Sequence, residues 1–316
     1  MIVTYGEALV DMIEMPDGRF GASLGGAVCN FALATARQAL EVTYLNPLSV
    51  DSFGHGFARM LGQAGVRLGS PARSALPTSL AIVTLDANKS PSYAFHRQGV
   101  ADRDIKPVQA RAALPAGARL FHTGALALVP EDLDATLEIV AAAAAAGALI
   151  LIDANMRPLA CDDLSAYAAG VRRALRHAHL IKVSEEDLAH LGWPELSPLE
   201  SARTLLDLPE VKLIALTLGA DGAVLLSRSA TVILPAPAGL KVIDTVGCGD
   251  CFLAGLVAAL DEQGSLSLSA LDAAGDATLR PALRRAIASA SLNAMREGCN
   301  PPSAAEVAEF IDRSEH

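Results

Sequence analysis

The stretch of this 316-residue chain best equipped for chemistry is Val242-Ile243-Asp244-Thr245-Val246-Gly247-Cys248-Gly249-Asp250-Cys251-Phe252-Leu253-Ala254-Gly255-Leu256. An apolar strand end runs into a Gly-x-Gly turn, and an apolar-periodic helix starts near Asp250. The free N–H groups of a helix's first turn, helped by its dipole, form a natural anion site. Gly247 and Gly249 let the backbone approach an anion with no Cβ in the way. A carboxylate beside such a turn is costly unless it works on the reaction. Asp250 can take the proton of an attacking hydroxyl while the N–H groups hold a phosphoryl group in transfer.

Three other readings compete for these residues. Gly247-x-Gly249 lacks the third glycine of a dinucleotide fingerprint and lies far from the N-terminus. No Gly-x-x-x-x-Gly-Lys-Ser/Thr stretch occurs, so there is no P-loop. Cys248-Gly249-Asp250-Cys251 is formally a C-x-x-C at a helix start, where redox cysteines sit, yet that leaves Asp244, Thr245 and both glycines without a role. The plainest alternative is a helix that is merely capped.

Elements must hold these residues in place. Short β-rich runs predict strands over Ile2–Tyr5, Val42–Leu45, Leu120–His122, Leu149–Ile152, Leu180–Lys182, Ile214–Thr217 and Ala223–Leu226. Amphipathic or alanine-rich stretches predict helices over Cys29–Gln38, Phe57–Gln63, Leu133–Ala146, Leu164–Ala174, Glu185–His190, Glu200–Leu206, Cys251–Glu262 and Arg280–Arg296. This alternation argues for an α/β fold: a central, mainly parallel sheet with helices on both faces. Such open sheets bind ligands outside the carboxyl ends of their strands.

Two segments break the pattern. Val10–Leu24 carries the turn signal Pro16-Asp17-Gly18. Ser79–Arg97 alternates apolar residues (Leu80, Ile82, Val83, Leu85, then Tyr93 and Phe95) around a polar turn at Asn88-Lys89-Ser90. Both read as hairpins. They predict a small antiparallel β lid, inserted at approximately residues 10–24 and 79–102 of a single α/β domain spanning 1–316. Their apolar faces are too small to be stable alone, so a homodimer joined through the lid is expected.

Composition narrows the partners. Hydrophobic residues make up 52% and charged residues 19%, ample for a buried core, and the net charge is −10. No dense Lys/Arg cluster offers the basic stripe that a nucleic acid needs. The longest apolar run, Ile139 to Ile152, is mostly alanine and too short for a bilayer, and the N-terminus lacks a secretory pattern, so no membrane partner is expected. Five cysteines without framework spacing fit a reducing, cytoplasmic setting.

Asp244-Thr245-x-Gly247-x-Gly249-Asp250 resembles the C-terminal signature of the ribokinase-like (PfkB) carbohydrate kinases. Gly25-Gly26-Ala27-Val28-Cys29-Asn30-Phe31-Ala32, about 220 residues earlier, resembles that family's N-terminal glycine signature. Asp51-Ser52-Phe53-Gly54, Asp153-Ala154-Asn155-Met156-Arg157-Pro158, Thr217-Leu218-Gly219-x-x-Gly222 and the Asn293 to Pro302 segment resemble further family stretches, so the likeness spans essentially the whole chain.

The resemblance implies an ATP-dependent sugar kinase with Asp250 as base and an anion hole formed by the N–H groups of Gly247, Cys248, Gly249 and Asp250. Cys248 stands where the family usually has alanine, and its backbone N–H can still serve. On the sugar side the resemblance implies Asp11, Gly25, Gly26 and Asn30, with Arg97 and Arg157 as candidates for a substrate carboxylate, keto oxygen or phosphate. On the nucleotide side it implies Thr217, Gly219 and Gly222 near phosphates and ribose, and Asn293 near the adenine.

Mg2+ is implied as the phosphate counter-ion. Where the family shows Asn-x-x-Glu, this chain reads Ser184-Glu185-Glu186-Asp187, which shortens the reach to metal contact by Asp187 through water. The same letters also read as a helix N-cap with an acidic first turn. A K+ held by carbonyls near Asp244, Val246 and the Gly298 loop follows by analogy. Gly6-Glu7-Ala8-Leu9-Val10-Asp11 and Phe95-x-Arg97 with Ala101-Asp102 look like the fructokinase branch; 2-keto-3-deoxygluconate is the alternative substrate. A non-catalytic sugar or nucleotide sensor on the same fold is the reading from another class, and an intact Asp250 argues against it.

Overall fold

A computed structural model describes residues 1–15, 17–70, 72–85, 91–192 and 196–314. In chain order the strands are β1 (Ile2–Tyr5), β2 (Leu9–Glu14), β3 (Phe20–Gly25), β4 (Val42–Tyr44), β5 (Arg67–Leu68), β6 (Ser79–Leu85), β7 (Pro91–His96), β8 (Leu120–Gly124), β9 (Leu149–Asp153), β10 (Leu180–Ser184), β11 (Leu213–Thr217), β12 (Ala223–Leu226) and β13 (Thr231–Leu234). One sheet runs in the order β13-β12-β11-β10-β9-β8-β1-β4-β5. From β11 to β5 its neighbours are parallel, and β12 and β13 add an antiparallel edge.

The central strands β8 and β9 are buried at every residue, as a parallel sheet covered on both faces requires. Side chains alternate between the faces. Ile2, Leu120, Leu151, Leu180 and Leu213 pack with helices Ala27–Arg37, Cys248–Glu262 and Asp276–Ala294 into one core. Val3, Phe121, Ile150, Ile181 and Ile214 pack with helices Pro130–Ala145 and Leu164–Leu175 into the other. The predicted strands fall on β1, β4 and β8–β12. Edge strands β5 and β13 were not foreseen, because Arg67 and Leu68 are both exposed and β13 is half exposed. Helix Ala304–Ser314 was also missed, although Ser303 and Glu306 form the capping box that marks its start.

A second sheet, β3-β2-β6-β7, is built from two insertions: β2 and β3 leave after β1 and return through Gly25-Gly26 into helix Ala27–Arg37, and β6 and β7 lie between β5 and β8. It consists of two antiparallel hairpins whose first strands, β2 and β6, pair parallel. Its strands stop at His96; Ala101–Arg103 form a short 3-10 turn instead. Pro16 and the Asn88-Lys89-Ser90 turn lie outside the described residues.

Helix Cys248–Glu262 owes its position to a close approach. A Cβ at Gly255 would lie 2.5 Å from Ser289 Oγ and 2.9 Å from the Arg285 carbonyl on the neighbouring helix. Gly255→Ala should push the two helices apart and lower unfolding stability by about 1–3 kcal/mol. Urea denaturation checks this; unchanged stability would show that the contact yields freely.

Candidate active site

The strands beneath helices Ala27–Arg37 and Cys248–Glu262 are apolar along most of that face and become polar at their carboxyl ends. Stepping two residues on from Ile2, Leu120, Leu151, Leu180 and Ala215 gives Thr4, His122, Asp153, Lys182 and Thr217. Lys182 Nζ pairs with Asp153 Oδ1 at 3.0 Å, both buried. The His122 ring lies against Phe31, centroids 4.0 Å apart, and burial pushes its pKa down to about 3, so it stays neutral.

Above this layer sits the Gly247–Asp250 turn, held from behind by the segment that follows helix Asp276–Ala294. The amides of Ile243 and Asp244 donate to the Ala294 carbonyl at 2.8 and 3.2 Å. Asp244 Oδ2 accepts from the Gly298 amide at 2.9 Å, and its Oδ1 accepts from the Val246 amide at 3.0 Å. Gly247 caps the helix at φ 74, a left-handed conformation glycine adopts without penalty, and a Cβ there would run into Cys299. The amides of Gly247, Gly249 and Asp250 have no protein acceptor among the described residues, whereas that of Cys248 donates to the Thr245 carbonyl at 3.2 Å. Three amide donors are therefore left unpaired at a helix N-terminus, an arrangement suited to a phosphate.

Asp250 is buried at the head of this helix. Its carboxyl is pushed up to about 7, chiefly by burial and then by the Asp153 carboxylate. Lys182, a hydrogen bond from Asn30 and the Arg157 guanidinium act in the opposite direction. A Cβ at Gly249 would lie 3.2 Å from Lys182 Nζ, so the turn rests directly on the lysine.

The glycine pair at the end of β3 leads into helix Ala27–Arg37, whose Asn30 hydrogen-bonds the Asp250 carboxyl. Gly26, φ 99, caps helix Ala27–Arg37, and a Cβ there would lie 2.8 Å from the Glu7 carbonyl. A Cβ at Gly25 would lie 2.8 Å from Asp11 Oδ2, so the pair of glycines makes room for the carboxylate. Burial raises the Asp11 carboxyl to about 6, opposed by Arg157. Asn30 is buried with its Oδ1 lacking a protein partner, and Glu7 Oε1 accepts from the Ala27 amide at 2.9 Å. Arg157 thus acts electrostatically on both Asp11 and Asp250.

Other expected residues sit elsewhere or do different work. The Arg97 guanidinium is taken up by the Leu126 carbonyl at 3.2 Å and by Asp132 at 3.2 Å, with Asp102 at 3.8 Å; it ties the end of β7 to the main domain. Asp187 Oδ1 accepts from the Met156 amide at 2.7 Å, and its Oδ2 accepts from Ser184 N and Oγ at 2.8 and 2.9 Å. That carboxylate caps its own helix and braces the loop bearing Arg157, instead of offering free oxygens to a metal. Asn293 is fully buried: its Nδ2 donates to the Val246 carbonyl at 2.7 Å, and its Oδ1 accepts from the Asn300 amide at 2.9 Å. It staples the turn and has no surface left for an adenine. Thr217 ends β11, and Gly219 and Gly222 bound the next turn, where a Cβ at Gly222 would strike the Leu234 carbonyl.

Asp153, Lys182, Glu7 and His122 were missed as members of the site. A lysine inside the apolar run Leu180-Ile181-Lys182-Val183 is the signal that could have found one of them. The C-x-x-C alternative loses ground. Burial raises the Cys248 thiol, a hydrogen bond to Cys299 and burial raise Cys251, and redox thiols need the reverse.

Unpaired amides at a helix start and a buried carboxyl beside them suit phosphoryl transfer of the kind a carbohydrate kinase performs. The chain belongs to the pfkB family carbohydrate kinases, whose model matches residues 1–306. It is 29% identical to a fructokinase of Rhizobium leguminosarum bv. trifolii over 305 residues, 95% of this chain and 87% of that one. The crystal structure of a fructokinase with bound ATP from Xylella fastidiosa superposes with a TM-score of 0.87 at 26% identity, covering 100% of this chain and 99% of that one. A fructokinase from Vibrio cholerae O395 in a form with fructose, ADP and calcium ion bound matches with a TM-score of 0.82 at 25% identity, covering 98% of each chain. A double mutant of the same enzyme, with fructose, ADP and potassium ion bound, matches equally well (TM-score 0.82, 25% identity, 98% of each chain). The chain is therefore an ATP-dependent sugar kinase.

The raised carboxyl of Asp250 has a consequence for stability. Between about pH 4 and 7 the folded state binds a proton there that the unfolded chain has released, so this group's contribution to stability falls as pH rises through that window. Asp250→Asn, which removes the charge, should raise the thermal midpoint relative to the native protein at pH 8 and change it little at pH 4. Equal differences at both pH values would mean that the carboxyl titrates normally.

Proposed function

We propose that the chain transfers the γ-phosphoryl group of ATP to a hydroxyl of fructose, as one kinase domain with the small sheet as its lid. The observation that carries this reading is Asp250, a buried carboxyl pushed up to about 7 beside three unpaired amides. A base with that affinity is half ionised near neutral pH and can accept the hydroxyl proton as the bond to phosphorus forms. The amides of Gly247, Gly249 and Asp250 then stabilise charge on the transferred group. Cys248 joins them only if its bond to Thr245 opens.

Asp11 and Asn30 accept from and donate to neighbouring sugar hydroxyls, with Gly25 and Gly26 leaving room for them. Arg157 faces the keto oxygen. Arg97 keeps the lid attached and does not touch the sugar. Thr217, Gly219 and Gly222 border the nucleotide phosphates and ribose. Magnesium neutralises the phosphates. Among the described residues no cluster of His, Cys, Asp or Glu forms a cage for it, which fits an ion that enters with the nucleotide. A potassium ion suits the carbonyls around Asp244 and the Gly298 loop. Among the described residues no helix is long and apolar enough to cross a membrane, and the five cysteines are free thiols, consistent with action in a reducing cytoplasm.

Coupled ADP release with ATP and magnesium tests the substrate. Fructose should be turned over, and 2-keto-3-deoxygluconate should not; the reverse result transfers the enzyme to the keto-acid sugar. Asp250→Asn should lower the rate about 10²–10⁴-fold while calorimetry still registers ATP binding. A variant that keeps most of its rate would remove Asp250 as base, and a native chain that binds ATP without turning over any sugar would be a sensor.

Ile13 and Tyr93 are exposed on one face of the small sheet, which supports a homodimer joined through the lids. Sedimentation at micromolar concentration should give a dimer; a monomer there would rule out that joint.

A further inference from the structure

Lys182 is only 4% exposed, in a strand that is otherwise apolar until Ser184. Desolvating an ammonium is costly unless partners compensate. Burial alone would pull its pKa down, yet Asp153, Asp187 and Asp250 together raise it, so it stays charged across the neutral range. Its Nζ is clamped to Asp153 at 3.0 Å and lies 3.2 Å from where a Cβ of Gly249 would stand. The ammonium is thus wedged between the end of β9 and the underside of the phosphate-binding turn, one residue before Asp250.

We propose that Lys182 is a positioning residue for phosphoryl transfer: its fixed charge, set against that of Asp153, holds the Gly249 turn and sets the pH at which Asp250 works as a base. The proposal rests on the reading of Asp250 as the base. The groups facing Asp250 come from five directions. Asp153 ends β9, Lys182 lies in β10, Asn30 and the neutral Cys29 project from helix Ala27–Arg37, Arg157 stands on the loop after β9, and Cys248 and Cys251 flank Asp250 on its own helix. Of these, Lys182 and Arg157 favour the carboxylate and Asp153 opposes it. The Asp153–Lys182 pair therefore pulls the base both ways, and removing either member should move it in a sign that is fixed in advance.

Two variants of the one ion pair supply the test. Lys182→Met should move the acidic limb of kcat/KM upward by about 1–2 pH units and lower kcat/KM at pH 7 roughly five- to fiftyfold, with the sugar KM nearly unchanged. Asp153→Asn should move the same limb downward. Asp153→Asn/Lys182→Met, which leaves neither charge unpaired, should lie between them. If Lys182→Met does not fold, the double variant must still titrate above Asp153→Asn. Titration of carboxyl carbons in protein labelled with 13C-aspartate, with Asp250→Asn identifying the resonance, reads the same midpoints without substrate. A pillar of the fold would lower activity or stability in both single variants but leave the midpoint still. An unmoved midpoint, or shifts of the same sign, overturns the proposal. If the midpoints move as stated but the native chain turns over no sugar, the kinase reading fails while the control of Asp250 by Lys182 stands.

Discussion

A carboxylate buried at the start of a helix is the constraint around which this molecule is arranged. Asp250 sits where the helix dipole and the free amides favour negative charge, yet burial drives its carboxyl up to about 7. An isolated buried carboxylate would simply stay protonated. Here Lys182, Arg157 and Asn30 offset enough of the desolvation to leave it poised near neutrality, with Asp153 pulling the other way. Each of those groups comes from a different element, so the chemistry depends on the sheet, on two helices and on one loop keeping their relative places.

The parallel sheet supplies that registration. Near their carboxyl ends the strands hold polar residues in two neighbouring rows: Thr4 pairs with His122, and one step further on Asp153 pairs with Lys182. Deeper positions on the same face are leucines that lock the helices above. The first hairpin of the small sheet, β2 and β3, leaves after β1 and returns at Gly26, so it carries Asp11 to the same end of the domain. Arg97 fastens that sheet to Asp132 and to the Leu126 carbonyl through buried contacts, where an ion pair is hydrogen-bonded on several sides. Losing one partner there would leave a charge stranded, which is the costly outcome for buried pairs.

Much of this was legible because it is local. Gly247-x-Gly249-Asp250 announces a turn, a helix start and a carboxyl beside them within a few residues, and alternating strands and helices announce the sheet. What the sequence does not state is which partner a polar residue finds. Asp187 and Asn293 carry the expected types but are engaged by Met156, Ser184, Val246 and Asn300. Ending the predicted strand at Lys182 made that lysine look like a boundary residue. The strand runs on to Ser184, which turns the lysine into a buried one and changes its meaning. β5 and β13 escaped because edge strands need no buried pattern.

The glycines carry a last lesson about signatures of this kind. Gly25, Gly247 and Gly249 read naturally as backbone left bare for a ligand. Yet a Cβ at each would meet a side chain of this protein: Asp11, Cys299 and Lys182 in turn. At Gly247 and Gly249 the bare backbone leaves its amides unpaired and also admits a thiol and an ammonium, and at Gly25 it admits a carboxylate. Backbone and side chain interlock at these three points, and one of the side chains, Lys182, also acts on the Asp250 carboxyl. At Gly249 that interlock ties the geometry of a short turn at a helix start to the ionisation of the carboxyl that follows it.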